Sequence, residues 1–471
     1  MKYNAPEAKI REVLDACADC GSCRDFMETC LVFPELYRLY DKEQETGSAI
    51  TSRELRQLTD LCNFCALCPC HDIRAKIIQA KTEFINRDGL PLNIRFLENP
   101  DQLGRICGIF PRVLNRIFQT PLTAQPLKKI MGIHEKRNIP VIPEKDFPSQ
   151  VKKQGLFAVK KGKHKKAALF AGCTGRYFFP DVPKAAIDVL EYNNIEVYYP
   201  KQKCCGMPAM LEGDQQTALS DAEFNIDYLF QAVEAGYDII CSCPTCGYML
   251  KKVLKEGAYY SDQYQKWVQA DETHIKLPLF SAANSKTDSK TDSQENQFQM
   301  LSKSIYKNLL KDNGIFSALD PLKRISVADH TFDLGEYLLN LYNKNEMNMD
   351  FGHLPIQGAY YPPCHMREQN MGRPYQELMN KIPEIKIKPV ESTFYCCGIA
   401  GIMGFKKDFY QASLDMGTPL MEKIKEINPE KLITDCLSCR IQFQHMLCYE
   451  VVHPIEIIKE SYNRFSCMKN S

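Results

Sequence analysis

The chain has 471 residues and a formal net charge of +1, which gives no electrostatic case for nucleic acid as a partner. Hydrophobic residues make up 44 % and charged residues 25 %, as in a soluble globular protein of about three domains. No run approaches the ~18 apolar residues of a membrane span and the N-terminus shows no apolar signal core, so a cytoplasmic location is expected.

Cysteine is the outlier, with 22 residues. In a large chain without a signal peptide, tight C-x-x-C spacing points to metal rather than to disulfides. Cys107, Cys241, Cys448 and Cys467 fall outside every motif and are expected to be small buried apolar residues.

In chain order, Ile10, Val13 and Leu14 predict a helix over 9–16. It leads into Cys17-x-x-Cys20-x-x-Cys23, followed by Cys30. Helical segments run to about Leu61, and Cys62-x-x-Cys65-x-x-Cys68-Pro69-Cys70 follows. The next helix places Ile73, Ile77 and Phe84 on one face and ends near Gly89. Three evenly spaced cysteines can hold three corners of an iron–sulfur cube, and in two-cluster ferredoxins the fourth thiolate comes from the other motif. Carried over here, cluster 1 takes Cys17, Cys20, Cys23 and Cys70, and cluster 2 takes Cys62, Cys65, Cys68 and Cys30. The spacing departs from that pattern: six residues separate Cys23 from Cys30, Leu31 stands in place of the usual proline, and Pro69 alone separates Cys68 from Cys70. The triplets fit less well as zinc knuckles, which take C-x2-C pairs.

A basic, amphipathic stretch runs from Ile106 to Ile133, through Phe110, Val113, Leu114, Ile117 and Phe118 to Leu127, Ile130 and Met131, and Pro111 and Pro121 interrupt it. Such a stretch can lie on a membrane surface, but packing against the protein core is the favoured expectation. The lysine-rich run 160–166 reads as a solvated linker.

A C…CCG…CxxC pattern then occurs twice, an internal repeat. The first copy holds Cys173, Cys204, Cys205, Cys243 and Cys246, and the second Cys364, Cys396, Cys397, Cys436 and Cys439. Strands are expected at Ala167–Ala171, Ile195–Tyr199 and Asp238–Cys241, and again at Ala359–Tyr361, Ile385–Val390 and Leu432–Thr434. Helices are expected from Pro183, over Asp214–Ala235, after Pro374 and over Phe409–Ile427. This alternation predicts α/β units with short parallel sheets. The cysteines follow strands, where ligand sites of open α/β sheets gather, so each set of five is expected to converge on a metal ion or cluster. Gly206, Gly398, Gly401 and Gly404 would let backbone approach a bulky cofactor. Residues 282–298 have a linker composition, and 300–355 read as mainly helical, with Phe332, Leu334, Tyr337, Leu338 and Leu341 forming an apolar face.

The fold class is thus α+β and multidomain: an N-terminal all-α, two-cluster ferredoxin-like domain (1–100), a helical connector (101–165), a first CCG repeat (166–280), a flexible linker (281–299), a helical bridge (300–355) and a second CCG repeat (356–471).

Cys364-His365-Met366, Cys396-Cys397-Gly398-Ile399-Ala400-Gly401 with Gly404-Phe405-Lys406-Lys407, Thr434-Asp435-Cys436 and His453-Pro454 carry a family resemblance. The chain resembles the CCG-domain family that includes the C subunit of anaerobic glycerol-3-phosphate dehydrogenase, the glycolate oxidase iron–sulfur subunit and heterodisulfide reductase. The resemblance implies an electron-transfer subunit with two [4Fe–4S] clusters. Its electrons would come from an FAD-dependent dehydrogenase subunit acting on glycerol 3-phosphate or another hydroxy acid, and would pass towards membrane quinone. It also implies docking of the partner on the inner face of the cell membrane. No G-x-G-x-x-G follows a strand, in keeping with a flavin carried by the partner. Whether the chain itself catalyses is left open. The alternative reading is a catalytic subunit of heterodisulfide or thiol–disulfide reductase type, with clusters in the repeats; a third has the repeats hold zinc. His365 faces Thr174 in the repeat alignment, which favours packing or support of a ligand over ligation.

Overall fold

The computed structural model describes residues 5–24, 30–65, 68, 70–152, 155–157, 165–279, 298–306, 310–391 and 395–469. Its N-terminal part is helical: Ala5–Cys20, Val32–Thr46, Ser52–Asp60 and His71–Asp88. Ile10, Val13, Leu14, Leu36, Leu55, Leu58, Ile77 and Phe84 close a core of their own. Burial of each such side chain contributes roughly 2 kcal/mol. Thr51 and Glu54 form a capping box that starts the third helix, satisfying two otherwise free N–H groups. Gly89 caps the fourth helix.

Among the described residues, the connector holds four short helices, Pro100–Cys107, Pro111–Gln119, Pro121–Ile130 and Phe147–Lys152. Pro111 and Pro121 do not break a helix; each begins one, where its missing N–H costs nothing. The expected packing of this stretch holds for one side only. Leu114, Ile117 and Phe118 are half-buried, whereas Ile106, Ile109, Phe110, Val113, Leu122 and Ile130 are exposed.

The first sheet begins with β1 (Lys166–Phe170), β2 (Glu196–Tyr198) and β3 (Asp238–Cys241). A hairpin follows, β4 (His274–Pro278) with β5 (Phe298–Ser302), paired antiparallel. Then β6 (Thr331–Asp333) joins the first sheet, giving the all-parallel order β2-β1-β3-β6. The second sheet is β7 (Gln357–Tyr361), β8 (Lys386–Pro389), β9 (Lys431–Thr434) and β10 (Glu450–Val452), also parallel, in the order β10-β9-β7-β8.

Two sequence expectations change here. Residues 300–355 are not a helical bridge throughout: besides the helices Pro321–Asp329 and Leu334–Asn343 they supply the fourth strand of the first sheet. Of the flexible linker expected at 281–299, residues 281–297 lie outside the described residues, and its end, Phe298–Gln299, is strand. Most of the lysine-rich run 160–166 also lies outside them, although Lys166 begins β1.

The fourth strands put the sheets in the same layered setting. A single core runs between the repeats, from Leu169, Val182 and Leu190 through Leu334 and Leu338 to Tyr360, Leu378, Ile433 and Ile455. Helix Asp181–Tyr192 of the first repeat packs on helix Pro454–Lys469 that follows the second. The two carboxyl edges thereby come together.

Candidate functional site

Each sheet delivers its cysteines in the same way. In the first repeat, Cys173 follows β1, Cys204 and Cys205 follow β2, and Cys243 and Cys246 follow β3. In the second, Cys364 follows β7, Cys396 and Cys397 follow β8, and Cys436 and Cys439 follow β9. All but Cys364 are buried, and all 22 cysteines of the chain are free thiols.

The ten repeat thiols form one line. Cys173 and Cys204 lie 3.6 Å apart, Sγ to Sγ. Hydrogen bonds continue from Cys204 to Cys205, Cys246 and Cys243. Cys243 then bonds Cys436 across the seam between the repeats. From there the line runs through Cys439, Cys397 and Cys396 to Cys364. Each set of five is gathered as expected, and the two sets also meet. Among the described residues, no three cysteine, histidine or carboxylate side chains close around a point as a single metal ion would require.

The second cysteine of each CCG plays an equivalent part. Hydrogen bonds from Cys204 and Cys246 bring the Cys205 thiol down to about 6 against its burial. Bonds from Cys396 and Cys439 do the same for Cys397, also to about 6. Cys243 is also held well below the usual thiol range, by Cys246 and Cys436.

A cavity of about 180 Å³ opens along the line. Most of its other lining is apolar: Leu97, then Phe118, Ile133 and Ile142 from the connector, Leu211, and Ile399, Ile402 and Phe405 after the second CCG. Cys107 lines this cavity, so it is half-buried beside the site rather than part of a core. Cys241 is buried as expected, but Cys448 and Cys467 are exposed.

Gly401 lines the cavity, and the other glycines of the second CCG and Gly206 lie against neighbouring helices. Gly206 and Gly398 adopt φ of 90° and 88°, and what they face is the following helix. A Cβ at Gly398 would fall 2.1 Å from the Ser413 carbonyl oxygen, and one at Gly404 would fall 2.7 Å from the Ser413 hydroxyl. Gly401 faces Leu211. The glycine held against a thiol is Gly172, where a Cβ would lie 2.8 Å from the Cys246 sulfur.

In the N-terminal part, Cys17 is held up to about 11 by burial and by the nearby Cys23, Cys70, Cys20 and Cys30 thiols. Burial likewise lifts Cys30 to about 11 and Cys68 to about 12, with Cys62 acting on both. A second, smaller cavity of about 20 Å³ is lined by Cys30, Cys62, Cys65 and Cys68.

Cys65 reaches both cavities. It packs with Cys396, Cys364 and Met416 of the second repeat. Nearby, the Asn63 amide donates to the Met416 sulfur at 2.8 Å. His365 ties three parts together: Nδ1 lies 3.0 Å from the Thr245 hydroxyl and Nε2 lies 3.2 Å from the Phe64 carbonyl, and its ring stacks on Tyr248. Both ring nitrogens therefore have protein partners.

Several residues around the site carry no motif and escaped sequence reasoning. Asp101 accepts from the Cys204 N–H at 2.8 Å and pairs with the buried Arg176. The wholly buried Arg137 donates to Gln442 at 2.6 Å.

Comparison with known proteins agrees with this arrangement. The CCG cysteine-rich domain matches twice, over residues 167–251 and 358–444. The C subunit of the anaerobic glycerol-3-phosphate dehydrogenase of Escherichia coli (strain K12) is 23 % identical over 368 residues, 78 % of this chain and 76 % of its own length. Lactate utilization protein A 2 of Bacillus cereus (strain AH820) is 22 % identical over 309 residues, 64 % of this chain and all of its own length. The chain carries two copies of the CCG cysteine-rich domain and is similar, over most of its length, to that glycerol-3-phosphate dehydrogenase chain.

Proposed function

We propose that this chain is an iron–sulfur electron-transfer subunit of an oxidoreductase complex, in which the N-terminal cysteines hold two [4Fe–4S] clusters and the repeat cysteines hold further iron–sulfur centres. The observation that carries the reading is Cys65, which lines the N-terminal thiol cavity and packs on Cys396 and Cys364 of the repeat line. Adjacent thiol sites of this kind are what short-range electron transfer requires.

The donor sets fit the groups. Cys17, Cys20, Cys23 and Cys70 would hold one N-terminal cluster, and Cys62, Cys65, Cys68 and Cys30 the other, each set supplying four thiolates. In the repeats the five-thiol sets, the thiolates at Cys205 and Cys397 and the apolar walls suit a shielded polynuclear centre better than a single zinc ion, whose tetrahedral site takes four ligands. When bound, such clusters supply one-electron transfer. The residues around them exclude water: Phe405, Ile402 and Leu211 wall the cavity, and His365 clamps the N-terminal part onto both repeats.

Electrons would enter from a flavoprotein dehydrogenase subunit, as the similarity to the glycerol-3-phosphate dehydrogenase chain suggests, and leave towards membrane quinone. Among the described residues no helix is long and apolar enough to cross a membrane. The exposed face of the connector offers peripheral docking on an anionic lipid surface instead. Leu122, Ile130, Phe110 and Val113 of the connector are exposed, as are its Arg105, Arg116 and Lys129, the pairing an interfacial helix uses.

A second reading is a catalytic subunit that works on a disulfide. The cavity favours it, because it brings cysteines of both repeats to one apolar chamber.

Iron and sulfide counts with low-temperature EPR on anaerobically prepared protein test the proposal, comparing the wild type with a Cys396→Ser, Cys397→Ser variant. Two N-terminal signals that survive the substitution, with a further signal lost, are the expected result. Protein that binds no iron overturns the reading. Reduction of a small disulfide by this chain alone, supplied with electrons, would move the second reading to the front.

A further inference from the structure

The two repeats carry their thiols in matching positions but not the same charges, and Arg137 makes the difference. Arg137 lies in the connector between the helices Pro121–Ile130 and Phe147–Lys152, wholly buried, with its guanidinium 4.7 Å from the Phe405 ring on the cavity wall. Only Nη1 finds a partner, Gln442. Nε and Nη2 meet no acceptor, and among the described residues no carboxylate pairs with Arg137. Gln442 in turn donates to the Ser413 hydroxyl at 3.3 Å, which donates to the Gly398 carbonyl at 2.7 Å. The charge is therefore tied to the second CCG through Gln442, Ser413 and the Gly398 carbonyl. An unpaired buried cation is costly unless something negative is meant to face it.

The first repeat has a cation in the corresponding shell, Arg176, but it is neutralised. Its guanidinium pairs with Asp101, and Asp101 also accepts from the Cys204 N–H. The cation beside the first set is thus paired with a carboxylate, and the cation beside the second is not. A positive surrounding favours the reduced, more negative state of an iron–sulfur centre, and in a water-excluded interior its influence is large.

We infer that Arg137 is a positioning charge that sets the second-repeat centre at a higher reduction potential than the first, making the second repeat the lobe that receives electrons from the N-terminal part. The inference rests on the proposed iron–sulfur centres in the repeats. It agrees with a separate observation: Cys65 packs against Cys396 and Cys364 of the second repeat.

The test is EPR-monitored potentiometry of the full, anaerobically reconstituted chain, with Cys397→Ser used to assign the second-repeat signal. In Arg137→Met that signal's midpoint should shift to lower potential while the N-terminal signals stay in place, and Arg137→Lys should keep most of the wild-type value. Should Arg137→Met fail to fold, Asp101→Asn decides: it frees the Arg176 charge and should raise the first-repeat midpoint. Assigned repeat signals that stay fixed in the folded variants, or that shift equally in both repeats, overturn the inference. Repeats that hold no iron, seen in the metal count before any titration, overturn the underlying reading and the inference with it.

Discussion

The thiol of Cys243 hydrogen-bonds the thiol of Cys436. One belongs to the CxxC of the first repeat and the other to the CxxC of the second, so the two sites share a boundary. The bond also helps to hold Cys243 well below the usual thiol range, after the larger effect of Cys246. Substitutions at this seam should therefore be felt by both sites. Cys436→Ser is expected to perturb the EPR signals of both repeat centres, whereas Cys173→Ser, at the far end of the line, should perturb the first alone. Iron counts and EPR on the two variants check this, and identical effects would argue against a shared seam.

The two CCG glycines look equivalent in sequence yet should differ in their tolerance of a methyl group. At Gly206 a Cβ would find the Ala218 carbonyl oxygen at 3.4 Å, so alanine there meets mainly the positive φ, a cost of about 1–2 kcal/mol. At Gly398 the same atom would collide with Ser413 O and approach Gly417 N at 3.0 Å. Overpacking against backbone adds to the φ strain, for a total of about 3 kcal/mol or more. Thermal unfolding of Gly206→Ala and Gly398→Ala should rank them in that order, with low soluble yield for the second.

Strand and helix existence was largely legible in the repeats because buried parallel strands read as short apolar runs: Asp238–Cys241 is β3 to the residue. The fourth strand of each sheet was not, since Thr331–Asp333 and Glu450–Val452 are three residues long and carry no apolar run of their own. Cysteine spacing pointed to the residues that line the site, because thiol motifs are local. It could not show that the two sets of five meet, since the Cys243–Cys436 bond depends on how two sheets 193 residues apart in sequence pack their edges. Arg137 and Asp101 were invisible for the same reason: a buried charge acts through tertiary placement, and nothing adjacent in sequence marks it.

Glu98 predicts a pH effect. It is buried, its carboxyl oxygens meet no N–H or O–H donor, and it faces Asp214 and Glu212. Burial, the bond to Asp214 and the two nearby negative charges push it up to about 10, so the folded chain keeps the proton that the unfolded chain loses above about 4.5. Above that pH the unfolded state binds fewer protons, and wild-type stability falls with each further unit until the folded group also ionises near 10. Glu98→Gln keeps a neutral donor towards Asp214 and removes this penalty. The variant should match the wild type near pH 4 and exceed it by about 1–3 kcal/mol at pH 8. Denaturant unfolding at the two pH values measures the gap, and a gap that stays constant would show that Glu98 is ionised in the folded chain.

The connector's outer face makes the membrane reading testable without the partner subunit. Leu122 and Ile130 are 86 % and 78 % exposed, on the helix Pro121–Ile130. Inserting each such side chain below a lipid headgroup layer is worth about 1.5–3 kcal/mol, and the neighbouring Arg116 and Lys129 add attraction to anionic lipid. The full chain should therefore co-sediment with vesicles of phosphatidylcholine and an anionic phospholipid, and less with phosphatidylcholine alone. Leu122→Glu with Ile130→Glu replaces both anchors by charges that an anionic surface repels, so binding should fall at least tenfold while the iron content stays unchanged. Neither side chain lines the cysteine cavity, which makes unchanged iron the control for an intact fold. Equal sedimentation of wild type and variant would remove this face from the docking surface, and raised salt that weakens only the wild type would identify the basic residues as its electrostatic share.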